Sequence, residues 1–165
     1  MDHVPLVGAA AGHGLTPGVG TGGGRVPGAG VLRLRCVAAR GVFLPPARRP
    51  RGTTDASAYA VTPGRAYGAV GVLALADHLS VLVRDDWGGP AFVPAELFAG
   101  VAAAVPAGWA FALDSGARAG RRTLWGEPVV AVWGYPALVE EDGHAAALLA
   151  GDARAVALFD EACGA

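Results

Sequence analysis

Lysine, isoleucine, asparagine and glutamine are absent from this chain of 165 residues, and all thirteen of its basic residues are arginine. The codons of the four absent residues tend to be AT-rich, so the bias indicates a very GC-rich genome. The abundance of alanine, glycine, arginine and valine is therefore partly genomic. It follows that the hydrophobic core of this domain-sized chain has to be built from leucine, valine, phenylalanine and tryptophan.

Net charge is also nearly absent, at −1 at pH 7, which argues against nucleic acid or an anionic membrane as a partner. The distribution is uneven, because residues 1–84 carry nine arginines and three acids, whereas residues 85–165 carry four arginines and eleven acids. The opposite charges of the two halves compensate each other if the halves fold together. The alternative is a polarised surface that attracts a charged partner.

Cysteine is scarce, and long apolar runs are missing. Cys36 and Cys163 lie far apart in no metal-ligand spacing, and a reduced pair is favoured over a disulfide because no secretion signal is recognisable. The longest stretch without Asp, Glu, Arg or His, residues 97–113, is rich in alanine and is interrupted by Pro106. It is too weakly apolar for a membrane span. We expect a soluble, cytoplasmic protein.

Signatures of catalysis are missing as well. The three serines, Ser57, Ser80 and Ser115, do not lie in a G-x-S-x-G turn. The stretch "GVGTGG" at Gly18–Gly23 matches a dinucleotide-binding pattern, but it is flanked by proline and glycine and has neither the preceding strand nor the following helix that phosphate binding needs. The sequence therefore predicts a protein that is not an enzyme and has no cofactor.

Three regions follow one another along the chain. Residues 1–30 are a Gly/Pro/Ala-rich tail with little to bury, predicted to be disordered; a start codon assigned too far upstream is an alternative origin for it. Residues 31–139 contain short alternating strands and predict a β domain. Residues 140–165 are helical. The predicted fold class is α+β: a small antiparallel barrel or rolled sheet with a C-terminal pair of short helices.

Apolar alternation and turn residues place the individual elements. Asp152 is predicted to cap the last helix, and Pro63-Gly64 to form the corner of a hairpin. The predicted strands comprise residues 31–37, 59–61, 66–75, 78–84, 90–94 and 108–113, followed by a final pair at 123–125 and 128–134.

The stretch "RDDWGGPAFVPAELF" from Arg84 to Phe98 contains two adjacent acids that suggest either an active-site loop or a turn. Asp85 and Asp86 are favourable turn residues, and the glycines after Trp87 supply positive φ angles. We therefore predict a hairpin turn that leaves Trp87 exposed as an anchor for a partner.

Two alternatives assign chemistry to charged clusters. A small metal-dependent enzyme or ligand-binding protein would use the acidic residues, if folding brings them together. A nucleic-acid-binding barrel would need a set of arginines on one face. The acidic set is Asp85, Asp86, Glu96, Glu140, Glu141 and Asp142, with His144 nearby, and the basic set is Arg33, Arg35, Arg48, Arg49 and Arg51.

The stretches "RLRCV", "YAVTPGRAYGAVGV" and "VLVRDDWGGPAFVPAELF" resemble the small SH3-like β-barrel proteins of bacteria and their phages. The similarity covers residues 31–98, and the part after it loosely resembles actinobacterial proteins of the immunity or inhibitor type. The matching positions are Tyr59, Val61, Gly64, Tyr67, Val70, Gly71, Asp85, Asp86, Gly88, Phe92, Pro94 and Phe98.

This resemblance implies binding to another protein, with a toxin of basic surface as a possible target of the acidic C-terminal half. The candidate partner-binding residues are Trp87, Asp86 and Phe92, followed by Trp133 and Tyr135. For Trp133 and Tyr135, packing in the core is the alternative role.

Overall fold

The computed structural model of the chain describes residues 30–100, 105–114 and 120–164. The predicted disordered tail, apart from Gly30, lies outside these ranges. Within them the strands are β1 Leu32–Cys36, β2 Ala66–Ala74, β3 Leu79–Arg84, β4 Pro90–Pro94, β5 Phe98–Ala99, β6 Ala110–Leu113, β7 Thr123–Leu124, β8 Glu127–Pro128 and β9 Ala131–Gly134. The helices are α1 Pro136–Glu140, α2 His144–Leu149 and α3 Ala153–Ala162.

Strand β2 organises the main sheet, because it is long enough to have different partners along its length. One edge pairs with β3, while the other pairs first with β1 and then, past the middle of the strand, with β9. A register shift between Ala69 and Gly71 marks the change. Such a bulge bends a strand and increases its twist, so the two halves of β2 face different parts of the core.

The sheet curls back on itself. In the strand order β4-β3-β2-β1-β5, the two end strands are β4 and β5. They are nevertheless joined in sequence by a single turn of 3₁₀ helix, Ala95–Leu97. A connection this short is possible only if the end strands lie close together, so the sheet forms a curled half-barrel.

The helices close one side of this sheet. Leu138 of α1 packs directly against Gly71 and Gly134, since a Cβ atom added to either glycine would clash with the Cδ2 atom of Leu138. Phe159 of α3 is fully buried in the same core. The helices therefore share the hydrophobic core of β2 and β9, and the boundary predicted between residues 139 and 140 lies within α1.

The α+β class with a mainly antiparallel sheet is confirmed, but three details differ from the predictions. The described part of the C-terminal region has three helices rather than two, because Gly143 adopts a positive φ of 90° between the first and the second. Residues 59–61 are not a strand, and the hairpin around Pro63-Gly64 is replaced by pairing of β2 with β1. The predicted final strand pair is also wrong, since β7 pairs with β8, and β9 joins the main sheet.

In the residues that the structure describes, no helix has the length and apolar character needed to cross a membrane.

Candidate functional site

The turn between β3 and β4 is a tightly bonded hairpin tip, as predicted. One carboxylate oxygen of Asp85, Oδ1, accepts hydrogen bonds from the backbone N–H groups of Trp87 and Gly89, at 2.9 and 3.0 Å. The guanidinium of Arg84 donates to the Gly88 carbonyl at 2.9 Å. Asp85 therefore shapes the turn, because its side chain replaces water on the backbone amides.

Asp86 joins this tip to the neighbouring turn at residues 62–65. Its carboxylate accepts hydrogen bonds from the hydroxyls of Tyr67 and Thr62 and from the guanidinium of Arg65, each at 2.7 Å. The side chain of Tyr67 is buried, and its hydroxyl oxygen accepts a hydrogen bond from the backbone N–H of Thr62 at 2.7 Å. The donors, with Tyr67 foremost, hold the pKa of Asp86 below its usual range. The Asp86 carboxylate therefore has three hydrogen-bond donors within the protein.

The candidate partner-binding residues do not form one surface. Trp87 at the hairpin tip is 88% exposed, whereas Phe92 and Tyr135 are each 4% exposed and belong to the core. Trp133 on β9 is half-buried and packs on Phe111 of β6, with the ring centres 4.9 Å apart. Trp87 and Asp86 share the tip, while Phe92, Trp133 and Tyr135 lie on other parts of the fold.

Tyr135 takes part in a buried polar pair. Its hydroxyl lies 2.7 Å from Nε2 of His144, which is also buried, and burial lowers the pKa of this histidine. Glu141 lies 3.7 Å from the other ring nitrogen, Nδ1, and is bound by both terminal nitrogens of Arg154 at 2.8 and 2.9 Å. The cavity beside this pair has room for only about one water molecule. The pair therefore stabilises the helical region and offers no space for a substrate.

The acidic residues of the predicted metal set do not converge. Glu96 forms an ion pair with Arg48 at 3.7 Å, and Asp142 forms one with the buried Arg122 at 3.1 Å. Glu141 is bound by Arg154, and Asp86 by Arg65. The predicted acidic set has no geometric support as a metal site, because among the described residues no three of its members bring their donor atoms together, and four of its six carboxylates pair with four different arginines.

The arginine set is only partly free. Arg49 binds Asp55 at 2.6 Å and Arg48 approaches Glu96, while Arg33, Arg35 and Arg51 are exposed. Ion pairing removes part of the positive potential that phosphate binding requires.

A different group of ligand-type side chains does come together, where the β2–β3 turn meets the small β7–β8 hairpin. Donor atoms of Asp77, His78 and Glu127 all lie within 4.8 Å of one another. Nδ1 of His78 is 3.1 Å from Oδ1 of Asp77. The imidazole is 4% exposed, and its Nε2 atom has no hydrogen-bond partner among the described residues. A buried polar atom left unpaired costs about 1–3 kcal/mol, so this histidine is not explained by packing alone.

The turn between β7 and β8 places a tryptophan beside this group. Trp125 and Gly126 connect β7 to β8 with φ angles of 53° and 78°. Positive φ at both central positions is typical of a type I′ turn, but it is uncommon for a tryptophan. The Trp125 ring stacks on His78, with the ring centres 6.3 Å apart and the planes inclined by 17°.

An open cleft lies next to this group. Its lining includes Trp125, Phe92, Tyr59 and the loop at residues 50–53. The backbone N–H of Arg51 donates to Oε1 of Glu127 at 2.6 Å, which ties the loop to the β7–β8 hairpin. The cleft thus combines an aromatic lining with an adjoining cluster of donor atoms.

Sequence reasoning missed Asp77, His78 and Glu127 as a group. Asp77 directly precedes the predicted strand at residues 78–84, and Glu127 is fifty positions away in sequence. The Trp-Gly dipeptide before Glu127 was the one local signal, because it marks a tight turn.

Comparison of the chain with protein-family models, curated proteins and solved structures finds no match.

Proposed function

We propose that this chain is a non-catalytic protein-binding module built on an SH3-like barrel, and that Trp87 is the anchor of its contact surface. The observation that carries this proposal is the 88% exposure of Trp87 on a tightly bonded turn. Exposing so large an apolar ring to water is unfavourable, and tryptophan is enriched among residues that dominate binding energies. The curl that brings β4 and β5 together supports the barrel.

The tip supports binding because it is ordered in advance. Asp85 and Arg84 hold the backbone on either side of Trp87, so little backbone freedom remains to be lost on association. Asp86 fastens the same tip to Thr62 and Arg65 of the adjacent turn. A partner would therefore meet a projecting indole on a rigid base.

Charge suggests the chemistry of the partner. The residues from 120 to 164 carry seven acids and three arginines. Arg84, directly before the tip, contacts Asp160 of α3 at 2.7 Å, so the acidic helical region adjoins the tip. An acidic neighbourhood attracts a basic protein surface and speeds association at low salt. We propose a basic protein as the partner, as expected for an immunity or inhibitor protein that neutralises a toxin.

The test has two stages, capture and direct measurement. The full-length chain is used to capture proteins from a lysate of the source organism, and each captured protein is purified and titrated against the chain. The Trp87→Ala variant is compared with Phe43→Ala, which removes another aromatic ring that is 65% exposed. We expect Trp87→Ala to weaken binding by about 30-fold or more, and Phe43→Ala to have little effect.

Two results would contradict the proposal. Equal affinities of the wild type and Trp87→Ala would remove Trp87 as the anchor. Binding that is unaffected by salt would contradict the charge argument, since steering between opposite charges weakens as ionic strength rises. Circular dichroism of both variants serves as a control for folding.

A further inference from the structure

The cluster of Asp77, His78 and Glu127 lies away from the proposed contact surface. Asp77 and His78 directly precede β3, whereas Trp87 follows its end. Six residues of extended strand span about 20 Å. Any role of the cluster is therefore separate from the role proposed for Trp87.

The three side chains supply the donor types of a transition-metal site. Zinc is bound in proteins by histidine nitrogen and by carboxylate oxygen, commonly with three protein ligands and one further position left for water. Ligand atoms around a tetrahedral zinc ion lie about 3.4 Å apart. The His78–Asp77 pair, at 3.1 Å, is already near this spacing, and Glu127 lies within 4.8 Å.

The carboxylates are not neutralised by arginine within the described part of the chain, in contrast to those of Asp86 and Glu141. Asp77 contacts only the imidazole of His78, and its side chain is 60% exposed, so it can rotate toward an ion. Glu127 uses Oε1 to accept the Arg51 N–H, which fixes the carboxylate and leaves its other oxygen as a ligand. Ordered second contacts of this kind position metal ligands.

His78 supplies the nitrogen ligand of the site. It is nine-tenths buried, and its Nδ1 atom is the ring nitrogen that lies 3.1 Å from Asp77. Trp125 covers its ring from a backbone conformation that disfavours tryptophan. Backbone strain of this type is concentrated at functional sites. The imidazole is thus held in a fixed orientation beside two carboxylates.

We propose that Asp77, His78 and Glu127 bind one zinc ion. Two carboxylates offset the charge of the divalent cation, and the imidazole favours zinc over magnesium or calcium, which prefer oxygen ligands. The fourth position is open to water or to a donor group of a molecule in the cleft lined by Tyr59, Phe92 and Trp125.

The direct test is a calorimetric titration of the metal-free, full-length chain with zinc chloride. We expect one zinc ion per chain. The isosteric variants Asp77→Asn and Glu127→Gln each remove a ligand charge without creating a cavity, and we expect each to weaken zinc binding by at least about tenfold. Thermal unfolding gives a second readout, because a ligand that binds only the native state raises the melting temperature, and this rise should be reduced in both variants.

Controls remove the other groups that could bind zinc. The double variant His3→Ala/His13→Ala and the single variant Cys163→Ser should bind zinc as the wild type does. Loss of binding in either control, wild-type affinity in both isosteric variants, or the absence of zinc binding would overturn the proposal. Trp87→Ala should retain zinc binding, so failure of this proposal and failure of the protein-binding proposal are distinguishable.

Discussion

Strand β3 has a hairpin turn at each end, and the two turns use their acidic residues in opposite ways. At the β3–β4 turn, the side chains of Asp85 and Asp86 together accept five hydrogen bonds from the chain. At the β2–β3 turn, Asp77 contacts only a histidine that itself has an unpaired nitrogen in the described residues. Adjacent acids in a sequence therefore indicate structure as readily as chemistry, and the distinction depends on whether their oxygens already have partners.

The tryptophans near the two turns differ in the same manner. Trp87 is exposed and makes the bonded tip a candidate for contact with another molecule. Trp125 instead covers His78 and makes the other end a candidate for a bound ion. The hydrogen-bonded aspartates thus support an exposed tryptophan, whereas the histidine with a nitrogen unpaired among the described residues lies against the ring of Trp125.

The largest expected effect comes from removing hydrogen bonds at the β3–β4 turn, the end of β3 whose aspartates are bonded to the chain. Tyr67→Phe removes the buried hydroxyl that accepts the Thr62 N–H and donates to Asp86. We expect a loss of about 1–3 kcal/mol in the free energy of unfolding, because both partners lose a bond. Urea unfolding measures this loss. Tyr59→Phe is the matched control, since the half-buried Tyr59 hydroxyl has only a 3.3 Å contact with Thr53.

A loss in Tyr67→Phe no larger than that in Tyr59→Phe would mean that the Asp86 junction does not contribute to stability. The two ends of β3 would then not differ in how much their acidic residues contribute to the free energy of unfolding.

A smaller effect is expected from removing one aspartate at each end. Asp85→Ala leaves the Trp87 and Gly89 amides without their side-chain acceptor, and we expect a cost of about 1 kcal/mol, as for loss of a helix cap. Asp77→Asn, measured in metal-free buffer, keeps an oxygen as the partner of His78 Nδ1 and should change the free energy of unfolding by less than about 0.5 kcal/mol. Equal costs for the two substitutions in urea unfolding would show that the ends of β3 do not differ as described.

The sequence predicts the bonded turn well because its determinants are local. Asp85, Asp86 and two glycines lie within five residues, and the hydrogen bonds of Asp85 reach only two and four residues ahead. The same holds for the cap of α3, where Asp152 accepts the Ala155 N–H as predicted. Alternation of apolar residues likewise places β1, whose arginines are exposed, while short apolar runs bounded by turn residues place β3 and β4, which are mostly buried.

Predictions fail where distant segments decide the structure. Residues 59–61 have the composition of a strand, but Tyr59 lines a cleft and the Ala60 carbonyl accepts the Asp86 N–H. The helical region is divided at Gly143, whose φ of 90° lies outside the range of a right-handed helix. The proposed zinc ligands depend on the approach of two hairpins, and no spacing rule predicts contact between Asp77 and Glu127.

The smallest expected effect is a pH dependence of the stability that the hydrogen bonds of Asp86 contribute at the β3–β4 turn. The pKa of Asp86 is lowered from an ordinary 3.8 in the native state by Tyr67, Thr62 and Arg65, so the unfolded chain takes up this proton at a higher pH than the native state does. The stability contributed by the junction is therefore complete above the ordinary pKa and is lost as pH falls through the lowered one. Thr62→Val removes one donor to Asp86.

We therefore expect the difference in free energy of unfolding between the wild type and Thr62→Val to be widest near neutral pH and to close as the solution is acidified below about pH 4. Urea unfolding across this range measures the difference. Thr54→Val is the control, because the hydroxyl of Thr54 contacts Ser57 and not a carboxylate, so its difference from the wild type should not change with pH. A difference for Thr62→Val that is equally independent of pH would mean that the Asp86 carboxylate is not stabilised by the donors around it, and the contrast with the end that carries Asp77 would disappear.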